Sequence, residues 1–216
     1  MSVLAYVENW DGKFKKLSFE LLSYAAKVAE QLNTDAIALS IGEVEEDELR
    51  KLGKYGVKKI YSYTDENLKV FDTRSFTSVI SDFAGKENAT VVLLANNNTG
   101  KAIAPGLCVR LKAGIGAGVS KLPVSIDPFV VYKKVFSGNA FANVMIKTPI
   151  RILTLSQNSF EVIETADNST IEKVAGGVHP GSIKTELKEV QKQSGKILLT
   201  DAEIVVSGGR GMKSPD

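Results

Sequence analysis

The chain of 216 residues carries one cysteine and one histidine. A single Cys108 excludes an internal disulfide and fits a reducing compartment. The lone His179 sits in a Gly-rich stretch beside Pro180, so a catalytic triad or a histidine-bearing metal site has almost nothing to build on. Charge of one sign is also lacking. With 27 Lys/Arg against 25 Asp/Glu, the net charge is +2, which gives no electrostatic reason to propose nucleic acid or an anionic membrane as partner. No apolar run approaches the ~20 residues that a bilayer-spanning helix needs, so membrane insertion is not expected. The N-terminus enters an apolar segment directly, without a basic leader or cleavage site, and a cytoplasmic protein is the expectation. There is no internal repeat or low-complexity segment. A hydrophobic content of 44% with 24% charged residues is ordinary for a soluble globular chain.

What is present is an alternation of periods. Residues 3–7 (Val-Leu-Ala-Tyr-Val) are apolar throughout, as in a strand covered on both faces. Leu21, Leu22, Ala25, Val28, Ala29 and Leu32 then follow at helical spacing. Strands are expected at 36–39, 59–63 and 90–95, with 90–95 the most strongly apolar. Helices are expected at about 45–52, after Asp72 as a cap, and after the Asn96-Asn97-Asn98-Thr99 run. Repeated βα units with right-handed crossovers give an α/β fold, a Rossmann-like parallel sheet with helices on both faces, in which strands 3–7 and 91–94 should be central. The second half adds antiparallel strands. Residues 129–136 and 140–147 flank Gly138-Asn139, a hairpin signal, and should lie at or beyond one edge. Residues 151–155 read as a strand and 160–163 as a short one. Residues 165–182 read as a loop, and 185–190 as an edge strand or a helical turn.

Several apparent motifs carry little. Residues 95–102 have a P-loop flavour, but Ala95 holds the first glycine position and Ala102 replaces the magnesium-binding hydroxyl. Thr99 or an Asn capping a helix is the better reading. Gly114-Ile-Gly-Ala-Gly118 follows a helix and precedes a strand, the reverse of a dinucleotide fingerprint, and reads as a helix stop. Glu43, Glu45, Glu46, Asp47 and Glu48 read as solvated acids near the positive end of a helix dipole. Cys108 falls on an apolar helix face, where a buried, inert thiol is expected. No nucleophile, base and orienting group emerge together.

The stretch that organises the reading is residues 203–216. Ile204, Val205 and Val206 form a short apolar run of buried-strand type. Ser207-Gly208-Gly209-Arg210-Gly211 breaks it with a turn that lets backbone approach a ligand, and Ser214-Pro215-Asp216 has the makings of a helix start. Strand, glycine turn and helix N-terminus together hold phosphates. On spacing alone, Arg210 stands equally as a ligand-binding group or as a solvated arginine in a tail. The chain is either part of a longer protein or ends in a plain tail here.

Val205-Val206-Ser207-Gly208-Gly209-Arg210-Gly211-Met212-Lys213-Ser214-Pro215 resembles the signature that opens the FAD-binding domain of the electron-transfer flavoprotein alpha subunit. Phe136-Ser137-Gly138-Asn139-Ala140 and the segment from Leu153 to Phe160 resemble two weaker family patterns in the same order. The resemblance covers essentially the whole chain. It implies an N-terminal α/β domain over 1–203 and, over 204–216, the opening strand and glycine turn of a truncated FAD-binding domain. It also implies cofactor contacts from Arg210, Ser207, Gly208, Gly209 and Gly211, with the arginine lying against the FAD. Arginine suits the task, being a permanently charged planar fork that stacks on aromatics or binds phosphate oxygens. The implied protein is an electron carrier without substrate chemistry of its own, in a heterodimer with a beta subunit. It takes electrons from dehydrogenases, such as the acyl-CoA dehydrogenases of fatty acid beta-oxidation, and passes them to a quinone oxidoreductase. FAD is expected in the full-length protein and is not expected to be retained by these 216 residues. The chain departs from the family pattern at Ser156, where arginine is usual, and at Ser120-Lys121, where Ser/Thr-Asp is usual. Both departures bear on subunit contacts or anion handling in the first domain. The alternatives are a stand-alone adenine-nucleotide-binding α/β module and an assembly scaffold.

Overall fold

A computed structural model describes residues 1–177, 188, 189, 199, 202 and 204–212. Its elements run β1 (Ser2–Tyr6), β2 (Asn9–Trp10), β3 (Lys13–Phe14), α1 (Lys16–Gln31), β4 (Asp35–Ile41), α2 (Glu46–Gly53), β5 (Lys59–Thr64), α3 (Thr73–Lys86) and β6 (Ala89–Ala95). They continue with α4 (Asn98–Leu111), β7 (Gly114–Val119), β8 (Ser125–Ile126), β9 (Phe129–Val135), β10 (Ala140–Met145), β11 (Arg151–Leu155) and β12 (Thr170–Ala175). The chain divides into two units, Met1–Thr185 and Glu186–Asp216.

In the first unit the main sheet has the order β10-β9-β7-β11-β6-β1-β4-β5-β12, with β8 paired to β9. Every neighbour from β7 to β12 is parallel. The β9–β10 hairpin is antiparallel and closes the β7 side. The two most uniformly apolar strands, β1 and β6, lie side by side in the middle, as their composition requires.

Strand alternation sorts the core into two layers. Val3 and Ala5 of β1, Val7 just beyond it, and Val91 and Leu93 of β6 face one layer with Leu21, Leu22, Ala25 and Val28 of α1 and Leu49 and Leu52 of α2. Leu4, Tyr6, Val92 and Leu94 face the other, with Phe76, Val79, Ile80 and Phe83 of α3 and Ile103 and Leu107 of α4. Helices therefore cover both faces, the doubly wound arrangement expected of the βα alternation. Asp72 caps α3, its Oδ1 accepting from the Ser75 amide at 2.8 Å. Of the candidates for the α4 cap it is Asn97 that serves, its Oδ1 accepting from the Gly100 amide at 2.9 Å.

Four local expectations are corrected. Gly114 to Gly118 is not a helix stop but most of β7. α4 instead ends at Lys112, which is left-handed at φ 51°. The glycines had masked the strand, because a Cβ on Gly116 would stand 2.9 Å from Leu153 and 3.0 Å from Val131. Glycine there admits large neighbours, at the expense of the strand signal. Residues 160–163 form no strand, because side chains of α1 take their amides. Glu20 accepts from Phe160 N and Ser23 Oγ from Ile163 N. Residues 170–175, within the expected loop, form β12 as an edge strand parallel to β5. Finally, Ile204, Val205 and Val206 are exposed and form no strand, since no described neighbour pairs with them. Residues 185–190 fall almost wholly outside the described residues, as does His179.

Candidate functional site

In an open α/β sheet, ligands meet the crevice beyond the carboxyl ends of the strands where the strand order reverses. Here the chain runs outward from β1 to β4 and β5, then returns past β1 to β6. The crevice therefore opens beyond β1 and β6, between Glu8 and the start of α4.

That crevice holds an acid of the chain itself. Asn97 turns both ends of its amide to use: Oδ1 caps α4, and Nδ2 donates to Glu8 Oε1 at 2.6 Å. The first turn of α4 has no acidic residue of its own, so Glu8 is the group facing its positive end. Burial raises the Glu8 carboxyl above the ordinary carboxylate range, while hydrogen bonds from Asn97 and Thr99 and the charge of Lys15 pull it back. α4 also packs hard against β6, since a Cβ on Gly100 would fall 1.9 Å from the Ala95 carbonyl oxygen. A phosphate seated at this helix would have to displace Glu8.

A second polar chain stitches the neighbouring strand ends. Gly118 N donates to Thr154 Oγ1 at 2.8 Å, and Thr154 Oγ1 donates to Asn96 Oδ1 at 3.0 Å. Asn96 N reaches Leu155 O at 2.8 Å and Ser156 N reaches Val119 O at 2.9 Å. This last bond sets the two departures from the flavoprotein pattern, Ser156 and Ser120-Lys121, on adjoining loops. This chain has neither a cation at 156 nor an anion at 121. Ser120 Oγ is buried without a hydrogen-bond partner. Beyond β11 the loop is gripped by Glu20 of α1, which accepts from the amides of Asn158 (3.0 Å), Ser159 (2.7 Å) and Phe160 (2.9 Å).

The glycine turn lies in the second unit. Ser207, Gly208 and Gly209 are exposed and irregular, and Arg210–Met212 forms a 3-10 turn closed by Met212 N donating to Gly209 O at 3.0 Å. A Cβ on Gly208 would strike Met212 Sδ at 2.7 Å, whereas one on Gly209 or Gly211 would meet nothing within 4 Å. Neither of these two glycines has a positive φ. A side chain would therefore find room at either position, and the local structure does not itself require glycine there. Ser207, Gly208, Gly209 and Gly211 are thus exposed residues around one short turn.

The other candidates resolve without chemistry. Glu46 is held below the ordinary carboxylate range by hydrogen bonds from Lys173 and Arg50, and Glu48 accepts from Lys51 and the Phe14 amide. No group of three or more potential metal ligands occurs among the described residues. Cys108 is only half-buried, and burial pushes its thiol up. Sequence reasoning missed Glu8 and Glu20. Both left a signal: Glu8 directly follows an all-apolar strand, and Glu20 falls on the apolar stripe of α1 beside Leu21 and Tyr24.

Strand order, crossovers on both faces and a polar rim at the carboxyl ends define a doubly wound, Rossmann-like α/β domain. Residues 3–177 match the electron transfer flavoprotein domain, and the chain belongs to that family. It is 28% identical to the electron transfer flavoprotein subunit alpha of Megasphaera elsdenii over 99% of its length and 65% of that protein's. With the subunit alpha of Bacillus subtilis (strain 168) the identity is 26%, over 99% of this chain and 66% of that one. With subunit LctC of the lactate dehydrogenase (NAD(+),ferredoxin) of Acetobacterium woodii it is 26%, over 98% and 51%. The chain thus spans just under two thirds of the alpha subunits it matches. No helix among the described residues is long and apolar enough to cross a membrane.

Proposed function

We propose that this chain supplies the first domain of an electron-transfer flavoprotein alpha subunit, together with the turn that opens its FAD site. The observation that carries the reading is the match to proteins named as alpha subunits over 99% of the chain, glycine turn included. When bound, FAD supplies a ring that takes up and releases electrons singly or in pairs. The chain's own residues hold and bias it. The amides of Gly209 and Gly211 and the Ser207 hydroxyl line one wall of the cofactor site. The Arg210 charge favours anionic reduced forms of a nearby flavin.

The carrier works as a heterodimer with a beta subunit. It accepts electrons from dehydrogenases such as acyl-CoA dehydrogenases and delivers them to a quinone oxidoreductase, in the cytoplasm. It performs no substrate chemistry of its own. Glu8 favours this reading over a stand-alone adenine-nucleotide module, because a carboxyl group already faces the helix end where a phosphate would sit.

The test is co-expression of the complete alpha subunit with its beta subunit. A yellow complex is expected, bleached anaerobically by a dehydrogenase with its substrate and re-coloured by quinone oxidoreductase. A flavin-free monomer would overturn the reading.

A further inference from the structure

After β11 the chain passes the end of α2 before it adds β12, and a cavity of about 370 Å³ lies between helix and strand. Small-molecule sites begin at about 300 Å³, so the space suits a compact ligand. It is lined by Glu46 and Arg50 of α2, Asp167 and Ser169 on the approach to β12, and Ile171 and Lys173 of β12.

The fold sets these walls. Thr165 N donates to Lys54 O at 2.6 Å and Thr170 N to Lys58 O at 3.0 Å, so the approach is pinned at both ends to the chain between α2 and β5. Gly53 lets it come close, since a Cβ there would fall 2.2 Å from Asp167 Oδ1 and 2.4 Å from Ser169 Oγ. At the other end of α2, Glu46 accepts from Lys173 Nζ at 3.1 Å. Ile171 is half-buried and packs on the core beneath.

Charge selects among ligands. The lining carries two acids and two cations, so its net charge favours neither an anion nor a cation. Hydrogen bonds from Ser169 hold the Asp167 carboxyl below the ordinary carboxylate range, and Glu46 is held there too, so both acids are charged at neutral pH. Asp167 spends Oδ1 on the Ser169 amide (2.9 Å) and hydroxyl (2.8 Å), which leaves Oδ2 for a donor. Opposite, Glu46 engages Arg50 Nη2 at 2.7 Å and Lys173 Nζ, and each cation keeps further N–H groups. A molecule with both signs on a short frame meets all of these. Its carboxylate goes to Arg50 and Lys173, its ammonium to Asp167, and its apolar part over Ile171.

We propose that this cavity is a binding site for a small zwitterion of amino-acid type, held between α2 and β12. The site stands whether or not the alpha-subunit reading does.

The test titrates L-alanine into the 216-residue chain and follows backbone amides by NMR. The amides of Ser169, Ile171 and Lys173 should shift together and saturate in the millimolar range. Acetate and methylammonium, with one charge each, should bind about tenfold more weakly or not at all. Arg50→Gln and Asp167→Asn should each weaken L-alanine about tenfold at unchanged melting temperature, because exposed ion pairs add little stability and asparagine keeps the turn's acceptor. Glu66→Gln, in an exposed ion pair outside the cavity, should change nothing. Shifts that are absent, that never saturate, or that acetate or methylammonium reproduces at equal concentration overturn the proposal. Saturation that survives in both cavity variants places the amino acid elsewhere on the chain and overturns it as well.

Discussion

Glu20 offers the most quantitative test of how the site-bearing edge is held. Its side chain is 1% exposed, and it accepts three backbone amides from residues 158–160. Hydrogen bonds to a charged group contribute about 1.5–3 kcal/mol each, and these three share one carboxylate, so they do not sum. Glu20→Ala removes the acceptor for all three amides and leaves a cavity beneath the loop, at a cost of about 3–5 kcal/mol. Glu20→Gln keeps the shape. Its single carbonyl oxygen can still serve Ser159 and Phe160, but its NH2 faces the Asn158 amide, donor against donor. The loss should be about 1.5–3 kcal/mol. Domains of this kind are stable by about 5–15 kcal/mol, so both variants should fold. Urea unfolding followed by circular dichroism should rank wild type above Gln above Ala at equal m. Hydrogen exchange should quicken most at residues 158–160. An alanine variant within about 1 kcal/mol of wild type would refute the clamp, because ordinary surface substitutions fall near that range. A glutamine variant as stable as wild type, beside a destabilised alanine variant, would show that packing rather than hydrogen bonding holds the loop.

Further outcomes follow from the crevice and the glycine turn. Burial raises the Glu8 carboxyl in the folded chain, so its protonated form is favoured there. The stabilisation from this group is full below the ordinary carboxylate pKa and is lost as pH rises through the raised one. Glu8→Gln should therefore gain on wild type as pH climbs through that window. A difference in melting temperature that is flat with pH would dismiss the argument. The 216-residue chain should be colourless and bind FAD no tighter than millimolar, because one arginine supplies about 1.5–3 kcal/mol and micromolar binding needs about 8. Micromolar saturation of flavin fluorescence would place the FAD site elsewhere in the chain. In the complete alpha subunit Arg210→Ala should weaken FAD retention or lower its potential, with Arg210→Lys recovering part. Unchanged retention and potential would make that arginine an ordinary surface residue.

Much of the fold was legible because its central strands carry their own signal. Residues 3–7 and 90–95 are apolar on both faces, and only a strand buried between two helical layers has that pattern. Asp72 and Asn97 announced their helices through side chains that cap. What was illegible depended on distant partners. β7 is half glycine, and its strand identity comes from Leu153 and Val131 packing where a Cβ would be. β12 has neither alternation nor a continuous apolar run, because an edge strand needs little burial. Residues 160–163 have strand composition but spend their amides on Glu20 and Ser23. In the functional region, the glycine turn was visible as a motif. Glu8 was not: its role exists only once β6 and α4 stand beside β1.

The place of β11 has a consequence for how the chain is made. It lies between β6 and β7, which pair with it and not with each other. Both neighbours precede it in sequence, and so does the β9–β10 hairpin. As synthesis proceeds from the N-terminus, the β6-β1-β4-β5 core can assemble while β7 and the hairpin hang beside it with a slot one strand wide. Only residues 151–155 fill that slot, and residues 158–160 then find Glu20 waiting on a helix completed more than a hundred residues earlier. Until then the apolar faces of β6 and β7 present open edges, the kind of surface that chaperones cover. For a ribosome-bound chain, the last keystone of this sheet is a strand of five residues.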